Sequence, residues 1–175
     1  MTEQIIHSTL LALHNIALVG CAAAPFYNRN LVLNRAFYGP KLHYQLDKVV
    51  EDTLQGNAPY CMGFVVLLLA TGFGMPLNHF FFHQAFRTLG SVALVAMVVK
   101  AICFTGMLLI AGVIFFSINP KLKEIFGKFA PDASPEPTTV TEFFTLRAKR
   151  KSLCEICLWF ALGILVSSAF LGFSV

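Results

Sequence analysis

A chain of 175 residues that is 57% hydrophobic and only 13% charged, with a mean hydropathy of +0.70, cannot cover a soluble surface with polar groups. The formal net charge of +4 does not mark a nucleic-acid binder, because twelve of the thirteen Lys and Arg lie outside the apolar runs and nearly all of these collect in two connecting segments. Those apolar runs are each about 20 residues or longer, enough to cross a bilayer, and the total length suits one domain. The sequence therefore predicts an all-α integral membrane protein: a four-helix transmembrane bundle with one short cytoplasmic amphipathic helix, in contact with lipid and with no nucleic-acid partner.

The first span is expected over 5–27. No Asp, Glu, Lys or Arg occurs from Gln4 to Asn28, and Pro25 and the polar "NRN" close the run. "LVGC" has the look of a lipoprotein cleavage box, but "MTEQIIH" lacks the basic stretch of a secretory signal, so an uncleaved span is expected. The amphipathic helix is expected over 40–55. Pro40 suits a helix start, and Leu42, Leu46, Val49, Val50 and Leu54 recur at helical spacing. Lys41, Asp47, Lys48, Glu51 and Asp52 fill the remaining positions, as on a helix lying at the interface or packed under the bundle.

The second span, over 58–76, ends in the close-packing glycines Gly72 and Gly74. The link after it, "LNHFFFHQAFR", has the aromatic character of a membrane–water belt. It holds His79 and His83 four apart, a spacing at which a helix could place both on one metal, but with no third ligand evident nearby they are expected to be interfacial histidines of the belt. The third span, over 89–117, is long for one crossing and carries Lys100. "APDASPEPTT" reads as a flexible link, and the fourth span is expected over 153–173. The cysteines, Cys21, Cys61, Cys103, Cys154 and Cys157, lie in or at the edge of spans, where they are expected to pack as small apolar groups. Cys154 and Cys157 have the CxxC spacing, which without a second pair is a weak metal or redox signal.

Charge sets the expected topology. Arg29, Arg35, Lys41 and Lys48 fall in the first link, and Lys121, Lys123, Lys128, Arg147, Lys149, Arg150 and Lys151 in the third. The second link has only Arg87. The two basic links are thus expected in the cytoplasm and both termini on the other side, in a bacterial inner or an organellar membrane.

Two ionisable groups lie deep in the spans. Entering from the outer side, His14 is about 14 Å and Lys100 about 16 Å along their helices at 1.5 Å per residue. They share a depth. Such groups are expensive in hydrocarbon and face the bundle interior. For His14 three uses compete: a hydrogen bond to a neighbouring helix, ligation of a porphyrin iron through neutral imidazole, or a proton relay. No Asp or Glu lies deep in any span to neutralise Lys100, so a ligand carboxylate would be its partner, or the neutral amine would itself coordinate iron. His7, seven residues before His14 and on roughly the same face, is a further ligand or relay candidate.

"ALHNIALVGCAAAPFYNRNLVLN" resembles the first span of the HemJ-type protoporphyrinogen oxidases, in which a similar Ala-Leu-His triplet opens a helix that ends in an aromatic segment with an arginine. The family's third-span lysine is matched by Lys100 in "VVKAICFTGML", and the acid that opens its fourth span by Glu155 in "LCEICLW". Copper-resistance-D-like membrane domains share the four-helix plan. Cys21 stands where the family has tryptophan, and Asn34 where it has histidine. The resemblance implies haem b in the bundle, His14 as the metal's axial ligand and Lys100 as a second essential group. It also implies that Arg29 and Glu155 pair with one another or hold a substrate carboxylate, with quinone as an electron outlet. The alternative role is that of a non-catalytic accessory subunit, packed against other membrane-protein subunits of a respiratory or photosynthetic complex.

Overall fold

The computed structural model describes residues 1–39, 41–86, 90–129 and 136–171. Every regular element among them is helical: α1 (Thr2–Ala36), α2 (Tyr44–His83), α3 (Ser91–Val113), a π-helical turn (Ile114–Ile118), α4 (Asn119–Gly127) and α5 (Pro137–Phe170). Without water to satisfy backbone N–H and C=O groups, a spanning segment must bond them within itself, which a helix does. Four helices, counting α3 through α4 as one of 37 residues, are long and apolar enough to cross a membrane. The protein is a multi-pass membrane protein with an all-α four-helix bundle.

The helices outrun the bilayer. With 35, 40 and 34 residues, α1, α2 and α5 are about 50–60 Å long, against a hydrocarbon core of about 30 Å. Most of the surplus lies at the end that carries the basic residues, where the helices continue as a polar base. The amphipathic helix expected over 40–55 is therefore not a separate interfacial element. It is the first part of α2, beginning at Tyr44; Pro40 lies outside the described residues. Its inward face also differs from the expected one. Asp47, Val50, Glu51 and Leu54 are buried, whereas Val49 is 62% exposed. Apolar periodicity alone put the carboxylates in water, but they are turned inward by arginines on α1 and α5.

The fourth span likewise extends far below 153: α5 starts with Pro137 in its first turn, where a missing N–H costs nothing. Of the expected flexible link "APDASPEPTT", residues 130–135 lie outside the described set, as do 87–89 and 172–175. The third span passes into the base through the π turn. Pro120 has no N–H for the carbonyl four residues back, and just before it the Asn119 N–H bonds Ile114 O, five residues back.

Helix α1 packs against α2 and α5, and α5 against α3, while α2 and α3 scarcely touch among the described residues. The bundle is therefore closed on three sides and loose on the fourth. Its membrane core is built of small and aliphatic groups, Ala17, Leu18, Cys21, Val65, Leu68, Met107, Cys157, Ala161 and Ile164. The base has a second core around Leu122, Ile125, Phe129 and the fully buried Phe143. Val19, Phe73, Val95, Ile102, Leu109 and Trp159 point outward, as lipid-facing residues do.

Gly20 lets α1 lie directly on Phe64 of α2, since a Cβ there would stand 2.6 Å from ring carbons. Gly20→Ala should destabilise the bundle by about 1–3 kcal/mol through overpacking. A lower midpoint in thermal melts of the detergent-solubilised protein would report it, with partial recovery when Phe64→Leu is added.

Candidate functional site

His14 is buried on the inner face of α1, in line with Ala17, Leu18 and Cys21. Its Nδ1 is 2.9 Å from the Thr71 hydroxyl on α2, and its Nε2 is 3.3 Å from Lys100 Nζ on α3. Three helices thus meet at one imidazole. The hydrogen-bond directions follow from the threonine. Thr71 Oγ1 lies 2.7 Å from Leu67 O, an acceptor only, so the hydroxyl donates there and its oxygen accepts from His14 Nδ1–H. That fixes the neutral tautomer with a lone pair on Nε2, which accepts from Lys100.

A side-chain acceptor that fixes one imidazole N–H and leaves the other nitrogen free is also how proteins prepare a histidine to ligate metal. Gly72 beside the ring leaves Cε1 with room, because even a Cβ at that position would stand 3.6 Å away. The donor chemistry thus fits an axial ligand. Lys100 Nζ now occupies the direction of the Nε2 lone pair, so iron could bind there only after the lysine swings aside on its four-carbon stem. Among the described residues Lys100 has no carboxylate within ion-pair distance.

The other sequence-level candidates do not join this cluster. His7 is exposed, near the start of α1 where the helix has few neighbours to bury it. Angular periodicity places it above His14, but its side chain is left exposed. Arg29 and Glu155 do meet, with Arg29 Nε 3.5 Å from Glu155 Oε1, and Lys151 Nζ is 3.8 Å from the same oxygen. They lie fifteen residues of α1 from His14, about 22 Å along the axis, so they form a second location. Arg29 and Lys151 line a cavity of about 80 Å³ there. Its deeper wall holds Cys21, Cys61, Cys154 and Cys157, brought together from α1, α2 and α5, with Met62 and Met107. The CxxC pair therefore has two thiol neighbours that spacing along the chain could not reveal.

Below this cavity is the largest feature missed in the sequence. Asp47 and Glu51, one turn apart on α2, face three buried arginines. Arg35 gives Asp47 a two-pronged contact, Nε to Oδ1 at 2.6 Å and NH2 to Oδ2 at 2.8 Å. Arg150 does the same for Glu51 at 2.8 and 2.7 Å. Arg147 sits between, donating to Asp47 through NH1 and stacking over the Phe143 ring at 5.3 Å. Its Nε is 3.2 Å from Glu51 Oε1 but misaligned for a hydrogen bond, and its NH2 has no partner among the described residues. The sequence signal was the complementary spacing, acids four apart and arginines three apart, each pair on one helical face.

Glu51→Gln would leave Arg150 and Arg147 short of a counter-charge in a dry environment, which costs about 3–5 kcal/mol for a broken buried pair. Its thermal midpoint in detergent should fall well below that of Asp52→Asn, an exposed neighbour expected to stay within about 0.5 kcal/mol of the parent. Equal midpoints for the two variants would remove the network from any structural role.

Comparison with protein-family models, with curated proteins and with solved structures gives no match to this chain.

Proposed function

We infer that the protein binds a haem-type porphyrin within the membrane, haem b in the simplest case, and uses it to oxidise a porphyrinogen or to pass electrons. The observation that carries this reading is the His14 cluster: a buried imidazole with Nδ1–H committed to Thr71, Nε2 turned inward, and an unneutralised lysine opposite. The weak α2–α3 contact supports it, since a flat ligand can enter on that side. Bound haem would supply one-electron redox chemistry. In this reading Thr71 orients the imidazole, and Lys100 moves from Nε2 to a ligand carboxylate or exchanges a proton there. Arg29 and Lys151 at the separate cavity, held near one another by Glu155, would receive the carboxylates of a porphyrinogen or the carbonyl oxygens of a membrane electron acceptor such as quinone.

The charge asymmetry supports a cytoplasmic base and outward termini, in a bacterial inner or organellar membrane. A second reading has a specific observation in its favour. Both nitrogens of His14 already have protein partners, so the cluster also suits an interhelical clamp in a non-catalytic accessory subunit that docks against other membrane proteins.

One spectrum separates the two. Protein purified from haem-replete cells should show a b-type Soret band that His14→Ala abolishes with helicity and monodispersity intact. Thr71→Val should keep the band but weaken haem retention about 10–100-fold, the usual cost of losing a partner that orients a metal ligand. Lys100→Met should shift or weaken the band without removing it. A colourless parent that also fails to take up added haem would leave the accessory reading.

A further inference from the structure

At the end of the bundle that carries the termini, the start of α1 meets the finish of α2. Glu3 of α1 faces His79 and His83, which lie one turn apart on α2. Glu3 Oε1 is 3.0 Å from His83 Nε2 and 3.7 Å from His79 Nδ1, and Oε2 is 3.2 Å from His83 Nε2. One donor atom from each of the three side chains lies within 4.8 Å of the other two. The two imidazole rings are 4.4 Å apart between centroids. The histidine spacing already suited one metal, and the missing third ligand comes from the opposite end of the first helical hairpin.

A hydrogen bond explains only part of this arrangement. Glu3 and His83 satisfy one another, yet His79 Nδ1, at 3.7 Å, is too far from the carboxylate to hydrogen-bond and too near to be unrelated to it. A tetrahedral ion with bonds of about 2.0–2.1 Å holds neighbouring ligand atoms about 3.3 Å apart. The two carboxylate–imidazole separations fall on either side of that value, and all three donor atoms lie within 4.8 Å of one another. Backbone placement is already fixed: Asn78, buried beside the site, donates its side-chain amide to Glu3 O at 3.4 Å and ties α1 to α2 there.

We propose that Glu3, His79 and His83 form a binding site for a divalent first-row transition ion, Zn2+ being the simplest occupant, with the fourth position open to water or an external ligand. Two imidazoles and one carboxylate are a borderline donor set, favouring Zn2+ and its neighbours in the series over Mg2+ or Ca2+, which prefer all-oxygen sites. The site is partly exposed, with side-chain exposures of 30% for Glu3, 35% for His79 and 52% for His83, so an ion can enter from solvent. It is separate from the His14 cluster and does not depend on what that cluster binds.

The full chain, carrying no polyhistidine tag, should be titrated in detergent with Co2+ and then Zn2+. One equivalent of Co2+ should produce visible ligand-field bands of four-coordinate intensity, and one equivalent of Zn2+ should displace them. His79→Ala and His83→Ala should each lose the bands, Glu3→Gln should weaken binding, and His43→Ala, at the opposite end, should leave it unchanged. Far-ultraviolet circular dichroism checks that each variant keeps its helicity. Should a histidine variant misfold, protection of His79 and His83 in the parent protein against histidine acylation by Zn2+, read by peptide mass spectrometry, gives the answer instead. No bands in the parent, bands that survive both histidine substitutions, or acylation unaffected by Zn2+ would overturn the proposal.

Discussion

The protruding base of this bundle depends on an electrostatic constraint. Two carboxylates and three guanidinium groups have been taken out of water between α1, α2 and α5. Removing such ions from water costs several kcal/mol each, and close pairing with additional hydrogen bonds is what offsets it. Arg35 meets that need with Asp47 and the Gly39 and Lys41 carbonyls, while Arg150 meets it with Glu51 and Asn119. The net gain in stability from such a set is small, because attraction and desolvation nearly cancel. A helix shifted by one turn, however, would strand at least one charge. The network therefore acts on register: it disfavours wrong alignments of long, smooth apolar helices more than it deepens the right one.

Register matters because the interior above the base offers little else to fix it. The membrane core consists of Ala, Leu, Val, Ile, Cys and Met side chains in contacts that neighbouring turns could nearly reproduce. Close approach at Gly20 against Phe64, and at Gly106 against Phe160, adds a steric notch on each of two helix pairs. With the base locked and the notches filled, His14, Thr71 and Lys100 arrive at one level on three helices. A slip of one turn, about 5.4 Å, would break both hydrogen bonds of the imidazole.

The looseness between α2 and α3 belongs to the same design. The two ends of the bundle are tied, at the base by the ion network and at the other end by Glu3 and Asn78 linking α1 to α2. Between these ties, α3 is held mainly by α5. Lys100 crosses the interior to His14 and forms a polar link between α3 and α1 among the described residues. Any ligand that takes Lys100 away from the imidazole would therefore also loosen α3 from the first hairpin.

Composition and run length by themselves determined that the chain crosses a membrane four times. Hydrocarbon leaves a backbone only the helix, and a helix needs about 20 apolar residues to cross. The common depth of His14 and Lys100 was legible for a similar reason, since depth is a one-dimensional quantity that counting along the chain supplies. Arg29 and Glu155 were singled out by the resemblance to the HemJ-type oxidases, as a pair or as holders of a carboxylate, and they do meet. Tertiary structure alone decided which faces meet. It turned Asp47 and Glu51 inward, because their complementary arginines lie on other helices, Arg35 on α1 and Arg147 and Arg150 about a hundred residues away on α5, whose rotations no local pattern fixes. It left His7 in the open and supplied Thr71 as the partner of His14. It gathered four cysteines around one cavity and set Glu3 beside His79 and His83. Each of these depends on the azimuth of one helix relative to another, and a sequence fixes that only through the packing of the whole bundle.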